Sequence, residues 1–99
     1  MEYGDLIEKL SALGHEYRLK ILTSLTDGEK YLSEIAKEVG ISRALAKVHL
    51  NKLEKANLVV SRTELLEDEA RALRYYKLQD FHIELSPNEL RRRKHEDGL

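Results

Sequence analysis

Residues 31–58 read YLSEIAKEVGISRALAKVHLNKLEKANL, and this stretch decides the fold. Leu32, Ile35, Ala36 and Val39 recur at helical spacing. Gly40 supplies the left-handed residue that ends a helix. Ser42 suits the N-cap of the next helix, where its hydroxyl can accept from a free backbone N–H of the first turn. The second helix buries Ala46, Leu50 and Leu53, flanked by Leu45, His49 and Ala56. At about 100° per residue, its opposite face carries Arg43, Ala44, Lys47, Val48, Asn51 and Lys55. A helix, a tight turn and a second helix with a cationic outer face make a helix-turn-helix. That shape lets the second helix enter the major groove of DNA. Asn57 sits where a helix closes on a left-handed residue, and Leu58-Val59-Val60 then turn to strand character. A helix-turn-helix running straight into a hairpin is a winged helix.

The bounds agree. The chain has 99 residues, 41% apolar and 35% charged, enough for one soluble globular domain with a modest core. No apolar run is long enough for a membrane span, and the N-terminus lacks a signal pattern, so a cytoplasmic protein is expected. There is no cysteine. That excludes disulfides, thiolate metal sites and a cysteine nucleophile together. No Gly-rich phosphate loop, nucleophile elbow or metal-protease helix is present, so no enzyme is expected.

Net charge is −1, but the distribution is uneven. Residues 1–40 hold five Lys/Arg and eight Asp/Glu, net −3. Residues 41–63 hold Arg43, Lys47, Lys52, Lys55 and Arg62 against Glu54 alone, net +4. Positive charge gathers on the recognition unit. A footprint of this size binds DNA weakly in one copy, and two copies double it.

The remaining chain fills in around this unit. Asp5 and Glu8 have capping-box spacing, and Leu6, Ile7, Leu10 and Leu13 form the stripe of a first helix ending at Gly14. A second helix covers about Glu16–Leu25, with Leu19, Leu22 and Leu25 buried beside Ile21. Strands are expected from Leu58 to about Glu64 and from about Ala72 to Leu78, with Leu65–Arg71 as the wing tip. Phe81, Ile83 and Leu85 alternate with His82 and Glu84, which predicts a third, half-buried strand. Ser86-Pro87-Asn88-Glu89 starts a last short helix, which carries the basic run Arg91–Lys94. The fold class is mainly α with a small β-hairpin wing, a single winged helix-turn-helix domain over 1–99. Its recognition unit is 31–58, its wing 58–79, and its C-terminal strand and short helix 80–95.

At this point the sequence resembles a known family. Leu13-Gly14-His15-Glu16-Tyr17-Arg18-Leu19-Lys20-Ile21-Leu22 looks like the opening signature of ArsR-like winged-helix regulators. Gly40-Ile41-Ser42, His49-Leu50, Leu53-Glu54 and Ala56-Asn57-Leu58-Val59 look like their recognition-helix signature, with Asn57 in place of the usual Gly. The resemblance covers roughly residues 5–80. It implies a homodimeric DNA-binding regulator, with helices at the chain ends forming the dimer contact. Members that sense soft metals carry two cysteines where this chain has Tyr31 and Ser33. Others use an Asp-x-His pair with a later histidine. Asp80-Phe81-His82 and His95 have the local form but the wrong spacing, so neither metal nor cofactor is expected.

The expected function is therefore sequence-specific binding of double-stranded DNA by a homodimer. Arg43 and Lys47 are placed for base edges and phosphates. Ser42 and Asn51 can donate to phosphate or base, and Ala44 lies on the same face. Lys52 and Lys55 are phosphate contacts, and Arg62, Arg71 and Arg74 are wing candidates. The acids among Glu64–Glu69 oppose entry of the wing tip into a groove. Arg91–Lys94 is either a DNA arm or a solvated helix end that complements its own dipole. The dimer contact is expected at Leu6, Ile7, Leu10 and Leu13 with Phe81, Ile83 and Leu85, because a small domain needs only part of that apolar surface for its core. The rival is a winged helix serving as a protein-interaction module, which keeps the fold without a basic recognition face.

Overall fold

The structure, a computed structural model, describes residues 1–65 and 72–96. Its elements are α1 (Tyr3–Leu13), α2 (Glu16–Ser24), β1 (Lys30–Tyr31), α3 (Leu32–Val39), α4 (Arg43–Lys55), β2 (Val59–Leu65), β3 (Ala72–Leu78) and α5 (Pro87–Glu96). The three strands form one antiparallel sheet in the order β1-β3-β2. This is the winged helix-turn-helix read from residues 31–58.

Backbone hydrogen bonds account for each turn of the recognition unit. Gly40 takes φ +81°, and the N–H groups of Gly40 and Ile41 both donate to the Ala36 carbonyl, at 2.9 and 3.0 Å. Ser42 Oγ accepts from Leu45 N–H at 3.1 Å, so it caps α4 as its sequence position requires. Asn57 takes φ +60°. Its N–H reaches the Glu54 carbonyl at 3.0 Å, and Leu58 N–H reaches Leu53 at 2.9 Å. These two bonds occupy carbonyls that α4 leaves without internal partners, and they turn the chain into β2.

The core gathers Ile21, Leu22 and Leu25, Ile35 of α3, Leu50 and Leu53 of α4, and Leu58, Val59 and Tyr76 at the foot of the wing. Tyr76 lies opposite Ser61 and Lys30 on the central strand, so it is covered from both sides. Lys9 Nζ donates to the Ala56 carbonyl at 2.9 Å and ties α1 to the C-terminal end of α4. There an ammonium also meets the negative end of the helix dipole.

Four expectations are corrected. The strand predicted at Phe81–Leu85 does not form, and the chain from Gln79 to Ser86 carries no ladder. β3 is central and already paired on both edges, so the segment leaving it finds no free strand beside it. The Asp5–Glu8 cap is absent: α1 starts at Tyr3, which puts Asp5 inside its first turn. Leu19 is exposed, and Arg18 occupies the buried stripe with Ile21, Leu22 and Leu25. The spacing 18-21-22-25 is the better helical match, but it begins with a charge. Leu6 is 5% exposed and packs inside its own protomer, so it has no surface to offer a partner. The wing tip from Leu66 on, with Arg71, lies outside the described residues.

Candidate nucleic-acid interface

Helix α4 is thirteen residues long and buries Ala46, His49, Leu50 and Leu53. That leaves Arg43, Ala44, Lys47, Val48, Asn51, Lys52 and Lys55 exposed. Arg43, Lys47 and Asn51 follow one another at four-residue steps and so form one stripe along the helix. Among the described residues, none of Arg43, Lys47, Lys52 and Lys55 makes a salt bridge. Four uncompensated cations therefore stand on one helical surface. Val48, 63% exposed, sits among them. The sequence placed Val48 on this face without a role; its signal was an apolar residue inside a polar stripe.

The base of α4 is locked to the wing. Glu54 accepts from Ser61 Oγ at 2.6 Å and from Arg74 Nη2 at 3.2 Å. Arg74 also donates to Ser61 Oγ at 2.9 Å. It lies on the sheet face turned toward α4, since it is paired with Thr63 and, two residues before Tyr76, shares that residue's face. Arg62 is on the other face. Its guanidinium grips Glu29, with Nε to Oε2 at 3.0 Å and Nη2 to Oε1 at 2.5 Å, and reaches Glu64 at 3.2 Å. This bonding holds the Glu29 carboxyl below its usual range and raises Arg62 further. The two described wing arginines are thus engaged within the chain, unlike the cations of α4.

The basic run of α5 is also largely tied up. Ser86 Oγ caps the helix through Glu89 N–H at 3.1 Å, as its sequence required. Arg91 donates to Asn88, and Arg92 to Glu89 and Glu96. Arg93 is buried, with its guanidinium 5.1 Å from the centroid of the Tyr3 ring. Lys94 remains exposed.

Of the residues expected at a dimer contact, Ile7 is 64% exposed, and Leu10, Phe81 and Leu85 are also exposed. Tyr3 and Leu90 join them. Leu13 packs against the protomer core, and Ile83 is half-buried. Among the described residues no group of three or more His, Cys, Asp or Glu is placed to hold a metal ion.

One cluster was not foreseen. Arg18, His49, His15 and Tyr17 come together where α1, α2 and α4 meet. Only the position of Arg18 in the buried stripe could have signalled it.

A profile described as "Bacterial regulatory protein, arsR family" matches residues 15–61. An uncharacterised HTH-type transcriptional regulator of Methanocaldococcus jannaschii is 40% identical over 81 residues, covering 82% of this chain and 83% of that protein. The chain belongs to the arsR family. It is an ArsR-family transcriptional regulator with a winged helix-turn-helix DNA-binding domain, and such regulators are not enzymes. Among solved structures it resembles HlyU from Vibrio cholerae, with a TM-score of 0.65 and 29% identity over 81% of this chain and 83% of that one. It shares its fold with a homodimeric winged helix-turn-helix DNA-binding domain from Mycobacterium bovis, with a TM-score of 0.66 and 21% identity over 97% and 85% of the two chains.

Proposed function

We propose that this ArsR-family chain binds double-stranded DNA sequence-specifically as a homodimer, with α4 in the major groove. The observation that carries this reading is the set of four cations on α4 that make no salt bridge among the described residues, opposite a buried apolar stripe. Arg43, near the helix N-terminus, and Lys47 reach base edges and phosphates. Asn51 offers its amide to a base, and Val48 an apolar contact to a thymine methyl. The Ser42 hydroxyl and the first-turn N–H groups near Ala44 meet phosphate. Lys52 and Lys55 meet phosphate on the flank, and Arg74 lies beside α4 for the same strand. Arg62 joins only by leaving Glu29, and Arg71 completes the wing set.

Two copies are needed because one small cationic face binds weakly. Ile7 and Leu10 of α1, with Phe81 and Leu85 after the wing, are the apolar surface we assign to that contact. A two-fold pair uses the same residues on both sides. The homodimeric state of the Mycobacterium bovis domain supports this assignment. The chain acts as one unit, with 31–58 for recognition, 58–79 for the wing, and the segment after it for assembly. Among the described residues no helix is long and apolar enough to cross a membrane. We place the protein with the DNA, in the cytoplasm.

Fluorescence anisotropy with a labelled duplex across a salt series tests the reading. Phosphate neutralisation makes the logarithm of affinity fall with the logarithm of salt, with a slope set by the number of contacts. Binding that ignores salt, or no binding, would leave a winged helix that engages proteins instead.

A further inference from the structure

Arg18 is a permanent cation buried to 9% exposure, and each of its three nitrogens has a partner. Nε donates to the Ala12 carbonyl at 2.5 Å, and Nη2 to the Ser11 carbonyl at 3.4 Å. Both carbonyls lie in the last turn of α1, where a helix has no partners of its own to give them. Nη1 meets His49 Nδ1 at 3.0 Å. Arg18 thus sits in α2, closes the C-terminal end of α1 and holds α4 with its remaining arm.

That last bond fixes the state of His49. A guanidinium only donates, so Nδ1 must be a bare acceptor and the ring proton must sit on Nε2. His49 is therefore neutral. The groups around it keep it so. The His15 ring lies 4.5 Å away between centroids, and the Tyr17 ring stands edge-on at 5.9 Å. His15 is itself committed, because its Nδ1 caps α2 by accepting from Tyr17 N–H at 3.1 Å. From α1 only the Ser11 and Ala12 carbonyls reach the cluster, through Arg18. No carboxylate among the described residues forms a salt bridge to Arg18 or His49. A proton on Nδ1 would set a second cation 3.0 Å from Arg18, in a buried site with no anion paired to either among the described residues.

His49 lies at the middle of α4, on the side away from Arg43, Lys47 and Asn51. Its bond to Arg18 joins that helix to α1 and α2 on the side opposite the cationic face. We propose that Arg18 and His49 form a proton-operated tether, which fixes the recognition helix when His49 is neutral and releases it, with loss of DNA affinity, in mildly acid medium. The proposal rests on the DNA-binding reading for its output, but the tether itself is a property of the free chain.

The sign distinguishes it from ordinary electrostatics. Protonating exposed histidines such as His82 and His95 adds positive charge, which strengthens binding to DNA. The tether predicts the reverse. Burial, His15 and Arg18 hold His49 below the usual histidine range. The tethered form is therefore fully populated above the histidine's ordinary pKa, near about 6.5. It is lost as pH falls from there toward the lowered value.

The test compares wild type with His49→Asn, whose side-chain oxygen can take the place of Nδ1 but cannot titrate. Duplex affinity is measured at fixed salt from pH 8 to pH 5.5. Wild-type affinity should drop severalfold as pH falls toward the lowered range of His49. The H49N profile should be level or rise. Wild-type affinity that rises with acid, or an H49N profile that tracks wild type, overturns the proposal. Should the variant not fold, imidazole nitrogen–proton NMR of the wild type without DNA decides it. His49 must show a bare Nδ1 and titrate below the usual histidine range. A protonated Nδ1, or a midpoint at or above that range, removes the tether. Absence of duplex binding at every pH would sink the DNA reading instead, and the NMR result would still judge the tether.

Discussion

Glu29 and Arg62 form a two-pronged ion pair across the base of the wing, and the Arg62 guanidinium lies 4.6 Å from the centroid of the Tyr75 ring. The pair joins the turn before β1 to β2, 33 positions apart. It also spends a wing cation on an internal carboxylate, so DNA phosphate must compete with Glu29 for the same guanidinium.

Glu29→Gln should therefore strengthen binding. The freed Arg62 adds about one phosphate contact, which steepens the salt slope by roughly one and raises affinity severalfold at low salt. Because Arg62 holds the Glu29 carboxyl below its usual range, the lock stays closed through neutral pH and opens only as pH falls through that lowered value. Anisotropy titrations of both proteins across salt measure it; equal slopes would place Arg62 away from the DNA.

On α4, Arg43→Ala and Lys55→Ala should fail differently. Arg43, reading a base, should cost about 1–3 kcal/mol on the preferred site and relax preference at one position. Lys55, meeting phosphate, should weaken all duplexes alike and reduce the salt slope by about one. Titration against preferred and scrambled duplexes separates the two. Unchanged affinity in both variants would move the interface off this face.

Gly40→Ala should destabilise the fold without touching any neighbour. A Cβ there meets nothing within 4 Å, but φ is +81°. The cost is then conformational, about 1–2 kcal/mol. Asn57, at φ +60°, holds the equivalent place after α4, and Asn57→Gly should be neutral or slightly stabilising. Urea midpoints at constant slope measure both.

Ile7→Glu and Leu6→Glu should separate surface from core on a single helix. Ile7 is exposed on α1, so its charge should leave the protomer folded and shift it to monomer. Leu6 is buried, so its charge should unfold the chain. Sedimentation with circular dichroism reads both; a folded Ile7→Glu dimer would place the contact elsewhere.

What was legible in the sequence was local. Gly40, Ser42 and Asn57 act within five residues of themselves, so residue chemistry alone fixed the helix ends and the entry into the wing. The span of β3, Ala72–Leu78, was legible for the same reason. Apart from the Asp5–Glu8 cap, misplaced because α1 starts at Tyr3, the errors required knowledge of a distant partner. Alternation at Phe81–Leu85 encodes an extended segment, but a strand needs an open edge, and β3 has none. Leu19 lost its buried place to Arg18, whose charge is tolerable inside because the last turn of α1 offers the Ser11 and Ala12 carbonyls and α4 presents His49. Counting charges showed that residues 41–63 are basic. It did not show that Glu29 and Glu54 draw Arg62 and Arg74 back into the fold, leaving α4 as the open surface.

The central claim is that two copies of this chain read DNA through α4. Selection of bound duplexes from a random pool at fixed salt tests it most directly. Enrichment of an inverted repeat, with half-sites about one helical turn apart, is the expected result. A folded protein that returns the pool unenriched would contradict it.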